Sequence, residues 1–257
     1  MIGIYKQKVN EIPYLVIAKQ DKATEPLPTV IYSHGFTSAK EHNLPLAYLL
    51  AEKGCRVILP DSMHHGERDA GMSAIEKELS FWNIVMQNVE ELQVIKDKLD
   101  EDGLILEQKL GLAGTSMGGI TTSAALAKYP WIKAAAILMG TPKLTNYADL
   151  LVTHVVKAQN LPVPKKEIER LFTQIKDYDL SLHPEKLADR PLMLWHGEQD
   201  AVIPFEQSYS FYKNVKKQYK NKNGIKFIPE KNRDHKVSRF AILETVKWFE
   251  THLNRPQ

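Results

Sequence analysis

The chain has 257 residues, 43% hydrophobic and 25% charged, which is enough for one domain with a sizeable core. Its 34 basic and 31 acidic residues leave a formal charge of +3, too small an excess to mark a nucleic-acid-binding protein, and the basic run at 216–226 reads as a solvated helix end and turn. A single cysteine, Cys55, forbids an internal disulfide; with no secretory pattern over residues 1–20 and no long apolar run, a cytoplasmic protein without a membrane span is expected.

Residues 3–10 and 14–20 alternate like strands around Pro13 and predict an antiparallel pair. After a proline-bearing loop, TVIYSHG (29–35) is an almost wholly apolar strand, as expected where both faces of a sheet are covered. LPLAYLLAEKG (44–54) predicts a helix stopped by Gly54, and CRVILPD (55–61) the next strand. Residues 73–103 predict a long helical stretch broken near Ser80, with Leu79, Ile84, Val85, Val89, Leu92 and Ile95 on one apolar face. KLGLAG (109–114) is a strand, and the small-residue helix that follows ends at Pro130. Strands are expected at 132–140, 190–197 and 225–230, with helices at 205–219 and 237–253.

Strands alternating with helices imply mostly parallel pairing with helices on both faces. Residues 143–188 break the rhythm: they hold two helical patterns and no strand, and predict a small helical cap inserted into the domain. Leu150, Leu151, Val155, Leu171 and Phe172 would give the cap an apolar underside.

The chemistry centres on Gly-Thr-Ser-Met-Gly at 114–118. Ser116 ends a strand and opens a helix, the setting of a nucleophile elbow, and the flanking glycines leave room for the sharp turn. A serine hydroxyl needs a base, and the base needs an orienting carboxylate. Asp200 follows the strand at 190–197, and His235 lies between the last strand and the last helix. Both loops fall at the C-terminal sheet edge, where open α/β sheets bind ligands. Glu198, two residues closer to the strand, and Asp234, which adjoins His235, compete less well for the acid, since adjacent side chains rarely reach each other's rings. His196 is expected to pack the strand end.

An oxyanion hole needs two backbone N–H groups. Met117 and Phe36 are the candidates, with Gly35 allowing close approach. His34, Gly35, His65 and Arg68 are placed at the substrate pocket. For His34 a structural hydrogen bond is preferred over catalysis, and Asp61, His65 and Arg68 also read as braces of the loop beside the site. The adjacent His64 and His65 lack metal-ligand spacing, so no metal is expected, and no phosphate loop calls for a nucleotide cofactor.

In order and spacing, His-Gly-Phe at 34–36, Gly-Thr-Ser-Met-Gly at 114–118, His-Gly-Glu-Gln-Asp at 196–200 and Asp-His at 234–235 resemble the α/β-hydrolase superfamily. The likeness is closest to small bacterial carboxylesterases related to the prolyl oligopeptidase catalytic domain, and Pro-Asp-Ser-Met-His-His-Gly-Glu-Arg at 60–68 strengthens it. The resemblance implies an eight-stranded, mostly parallel sheet, Ser116 as nucleophile, Asp200 as acid and His235 as base. It implies hydrolysis of short-chain acyl esters of small molecules, without a cofactor. No β-propeller of the kind that sieves peptides accompanies the domain, which favours esters over peptides. A serine nucleophile departs from the cysteine of dienelactone hydrolases. The alternatives are another acyl hydrolase (thioesterase, deacetylase or small-peptide peptidase) and a hydrolase fold that binds a ligand without turning it over.

Overall fold

A computed structural model describes residues 1–159 and 164–254, with residues 155–159 given by backbone alone. Eight strands form one sheet: β1 (Ile2–Val9), β2 (Ile12–Lys19), β3 (Leu27–Ser33), β4 (Arg56–Pro60), β5 (Ile105–Thr115), β6 (Ala134–Leu138), β7 (Leu192–Gly197) and β8 (Ile225–Glu230). Their order is β1-β2-β4-β3-β5-β6-β7-β8. β1 and β2 pair antiparallel, as the alternation around Pro13 predicts, and β2 runs antiparallel to β4. All other pairs are parallel. This is the α/β-hydrolase arrangement.

The helices are α1 (Leu44–Glu52), α2 (Ala74–Leu79), α3 (Phe81–Glu101), α4 (Met117–Lys128), α5 (Leu144–Gln159), α6 (Lys165–Lys176), α7 (Phe205–Lys216) and α8 (Arg239–Phe249). The strand period of two sorts side chains to opposite faces. Val30, Tyr32, Val57 and Leu59 join α1 and α8 in one core; Ile31, Ile58, Leu112 and Ile137 join α3, α4 and α7 in the other. Because both faces are covered, β3, β4, β6 and β7 are buried at every residue.

Two expectations change. β5 begins at Ile105, four residues before the predicted start, and reaches it through Glu107 and Gln108, both at positive φ, where the β3 register shifts. An irregular start carries no alternating signal. Leu79, expected on the buried face, is 52% exposed, because the helix breaks at Ser80 as predicted and α2 turns away from the core. α2 instead opens on a capping box between Ser73 and Glu76.

Candidate active site

β5 ends at Thr115 and α4 starts at Met117, so Ser116 alone makes the corner. Its backbone sits at φ 55° and ψ −115°, a conformation costing about 1–3 kcal/mol for a residue with a Cβ. Close packing of strand and helix enforces the corner. A Cβ on Gly118 would lie 2.0 Å from the Ser33 carbonyl oxygen, and one on Gly114 would lie 2.2 Å from the Gly118 carbonyl oxygen. Ser116 N–H donates to Leu138 O at 2.9 Å, tying the corner to the next strand. Although Ser116 occupies the N-cap position of α4, its hydroxyl makes no cap hydrogen bond. It donates to His235 Nε2 at 2.8 Å.

His235 Nδ1–H in turn donates to Asp200 Oδ2 at 2.7 Å. The loops carrying these two residues are held together by backbone bonds from Gln199 N–H to Arg233 O (2.9 Å) and Glu198 N–H to Glu230 O (3.0 Å). Asp200 is buried; its Oδ1 accepts the Val202 and Ile203 N–H groups, each at 2.9 Å. Burial pushes the Asp200 carboxyl up, but hydrogen bonds from His196, His235 and Ile203 override it and hold the group well below the usual carboxylate range. The carboxylate is therefore charged at neutral pH, facing the His235 ring. Glu198 and Asp234 are exposed, and neither carboxylate touches His235.

The loop after β3 faces Ser116 from the other side. The N–H groups of Phe36 and Met117 have no acceptor among the described residues, and Phe36 and Ser116 border the same cavity. This loop is braced against residues 61–68 by reciprocal imidazole bonds. Ser62 N–H donates to His34 Nε2 and Thr37 N–H to His65 Nε2, both at 3.0 Å. The other ring nitrogens donate to backbone, His34 Nδ1 to Gly35 O at 2.7 Å and His65 Nδ1 to Met63 O at 2.8 Å. Each ring accepts at one nitrogen, so both stay neutral; burial pushes both down, His34 to about 4. Arg68 forks onto Glu91 with two 2.7 Å bonds and also reaches Asp61 O.

His34, Gly35, His65 and Arg68, placed at the substrate pocket from sequence, are absent from its walls. Their polar atoms are consumed by the braces, and Gly35 packs behind Ser116. The bracing reading of Asp61, His65 and Arg68 is the one the contacts describe. Its missing partner in the sequence reading is Lys40, whose buried ammonium meets Asp61 at 2.5 Å, Glu67 at 2.8 Å and Glu41 at 3.0 Å. In the sequence Lys40 looks like any solvated loop lysine.

The cavity beside Ser116 has a volume of about 770 Å³. Phe36, Phe81 and Tyr147 form a run of edge-on rings, with centroids 5.6 Å and 6.3 Å apart. Leu151 of α5 and Leu171 of α6 close another side, and Leu79 and Val202 also border it. Leu150 is exposed and off the cavity, Phe172 packs toward the core, and Val155 lies outside the described side chains. Tyr147 is pushed up to about 12, by burial first and then by the negative charge of Asp200, so its phenol stays protonated. Phe81, Trp82 and Tyr147 carry no sequence signal as pocket residues, because their apolar spacing is that of a helix facing a core. Among the described residues, no group of three His, Cys, Asp or Glu side chains could hold a metal ion, and no helix is long and apolar enough to cross a membrane.

The profile of the prolyl oligopeptidase family matches residues 47–255. The chain is 46% identical over 258 residues to the Bacillus subtilis (strain 168) protein named "Putative esterase YitV", covering 98% of this chain and 100% of that one. It is 29% identical over 253 residues to Esterase YjfP of Escherichia coli (strain K12), covering 98% and 100%. Among solved structures, TT1662 from Thermus thermophilus shares the fold with a TM-score of 0.77 at 17% identity, each chain covered in full. The Pyrococcus furiosus esterase Pf2001 shares it with a TM-score of 0.67 at 15% identity, covering 98% of this chain and 93% of that one.

Proposed function

The chain belongs to the prolyl oligopeptidase family, and from that premise we propose that it is a serine carboxylesterase acting on short-chain acyl esters of small molecules. The observation that carries the reading is the unbroken relay from Ser116 Oγ through His235 to Asp200, at 2.8 and 2.7 Å. Ser116 Oγ attacks the ester carbonyl carbon while His235 Nε2 takes its proton. Asp200 holds the Nδ1–H tautomer and stabilises the imidazolium. The Phe36 and Met117 N–H groups, unclaimed by any described acceptor, bind the oxyanion. Collapse of the tetrahedral intermediate breaks the ester C–O bond, and His235 returns the proton to the leaving alcohol. Water, deprotonated by His235, then attacks the acyl carbon; the bond to Ser116 Oγ breaks, His235 returns the proton to Oγ, and the acid leaves. No cofactor enters these steps.

In this reading α5 and α6, lying between β6 and β7, act as a cap over the acyl pocket within a single hydrolase domain. Leu151 and Leu171 supply the apolar contacts that favour acyl chains. A second reading, hydrolysis of small peptides, is favoured by the family itself.

The test is hydrolysis of p-nitrophenyl esters with acyl chains of two to twelve carbons, wild type beside Ser116→Ala, with aminoacyl p-nitroanilides in the same panel. Ester turnover that peaks at short chains and falls by several powers of ten in the variant is the expected result. Turnover of the anilides alone would move the assignment to a peptidase. Retained activity in Ser116→Ala would remove Ser116 as the nucleophile.

A further inference from the structure

His196 is the penultimate residue of β7, fully buried, one turn ahead of Asp200. Its Nε2 lies 2.9 Å from the Ile203 carbonyl oxygen and 3.1 Å from Asp200 Oδ2. Both neighbours are acceptors, so Nε2 carries the proton and donates to both. Nδ1 is then a bare acceptor, and it is buried without any hydrogen-bond partner. An apolar side chain of similar size would leave no bare nitrogen, although it would strip the Ile203 carbonyl of its donor. What an apolar side chain cannot supply is the N–H on Oδ2.

That oxygen is the one that accepts His235 Nδ1–H. Asp200 is thus held by four donors: two backbone N–H groups fix Oδ1, while His235 and His196 share Oδ2. Phe205 presses on the His196 ring edge-on, with centroids 5.9 Å apart, and limits its rotation. We propose that His196 is a positioning residue for the relay: its Nε2–H fixes the Asp200 carboxylate so that Oδ2 faces His235, and it withdraws part of the charge that oxygen offers to the His235 N–H. The proposal rests on the serine-hydrolase reading of the site. It acts through Asp200, with no contact to the ester.

The experiment compares wild type, His196→Leu and His196→Gln. The glutamine amide can place an N–H where Nε2 stands; leucine cannot. On p-nitrophenyl acetate, kcat should fall by ~10- to ~100-fold in His196→Leu with KM nearly unchanged, by analogy with the loss of a hydrogen-bond partner that orients a metal-ligating side chain. His196→Gln should restore most of the kcat. In the resting proteins, the low-field proton resonance of His235 Nδ1–H should move further downfield in His196→Leu, where Asp200 bonds His235 alone, and return toward its wild-type position in His196→Gln.

Unchanged kcat in a folded His196→Leu protein, or an unmoved resonance, would overturn the proposal. If His196→Leu does not fold, the wild-type 15N spectrum decides: a protonated Nε2 with a non-bonded Nδ1 on His196 supports the proposal, and the opposite tautomer overturns it. These spectra need no turnover. A wild type that hydrolyses no ester would therefore sink the esterase reading and leave this test standing.

Discussion

Replacing Lys40 by methionine should destabilise the protein by about 3 kcal/mol. The Lys40 and Asp61 side chains are 1% and 0% exposed, so the variant strands a carboxylate away from water. Removing one partner of such a pair costs ~3–5 kcal/mol. The lower end applies because Asp61 keeps two backbone donors, Lys40 N–H on Oδ1 and Glu67 N–H on Oδ2, both at 3.0 Å. The other two partners, Glu41 and Glu67, are 46% and 50% exposed and rehydrate at little cost. For a domain of this size, each kcal/mol moves Tm by about 2–4 °C, so calorimetry should show a fall of about 6–12 °C at pH 7. Adding Asp61→Asn removes the stranded charge and should recover part of the loss, a positive coupling in a double-mutant cycle. A fall below ~2 °C, or strict additivity, would refute the idea that this ion pair clamps the loop carrying Phe36.

Gly118→Ala should destabilise by ~3 kcal/mol or more, or prevent folding, because its Cβ would meet a strand carbonyl that cannot yield; soluble yield and Tm report it. Stability should depend on pH through His34, whose folded value of about 4 lies below the ordinary 6.5. The unfolded chain takes the proton first, so the stabilisation is complete above pH 6.5 and is lost as pH falls toward 4. Full loss amounts to about 3 kcal/mol, and urea unfolding of wild type and His34→Gln at pH 7 and 4.5 should show a steeper fall in wild type, the variant keeping only the part due to His65 and other groups. Leu171→Trp should shrink the cavity beside Ser116, lowering kcat/KM for twelve-carbon esters while sparing acetate; parallel loss at all lengths would mean the acyl chain lies elsewhere.

Much of the site was legible because it is written locally. The two glycines around Ser116 are demanded by a corner whose strand, turn and helix lie within a few residues, and Asp200 and His235 follow strands whose apolar runs are plain. The braces were not. Lys40 and Asp61 are 21 positions apart, and only the pairing of β3 with β4 brings their loops together. Likewise, His196 read as packing for a strand end until the turn at 198–201 folded Asp200 back onto it.

By itself, then, the sequence determined the alternation of strands and helices, the sharp corner at Ser116 and the placing of Ser116, Asp200 and His235 at strand ends, since period and turn chemistry act between near neighbours. Only the tertiary structure decided which histidines are structural, which lysine is buried and which aromatic rings wall the cavity. Those outcomes depend on which surfaces meet across the sheet edge, and a side chain's burial and hydrogen-bond partners exist only once distant segments are packed together.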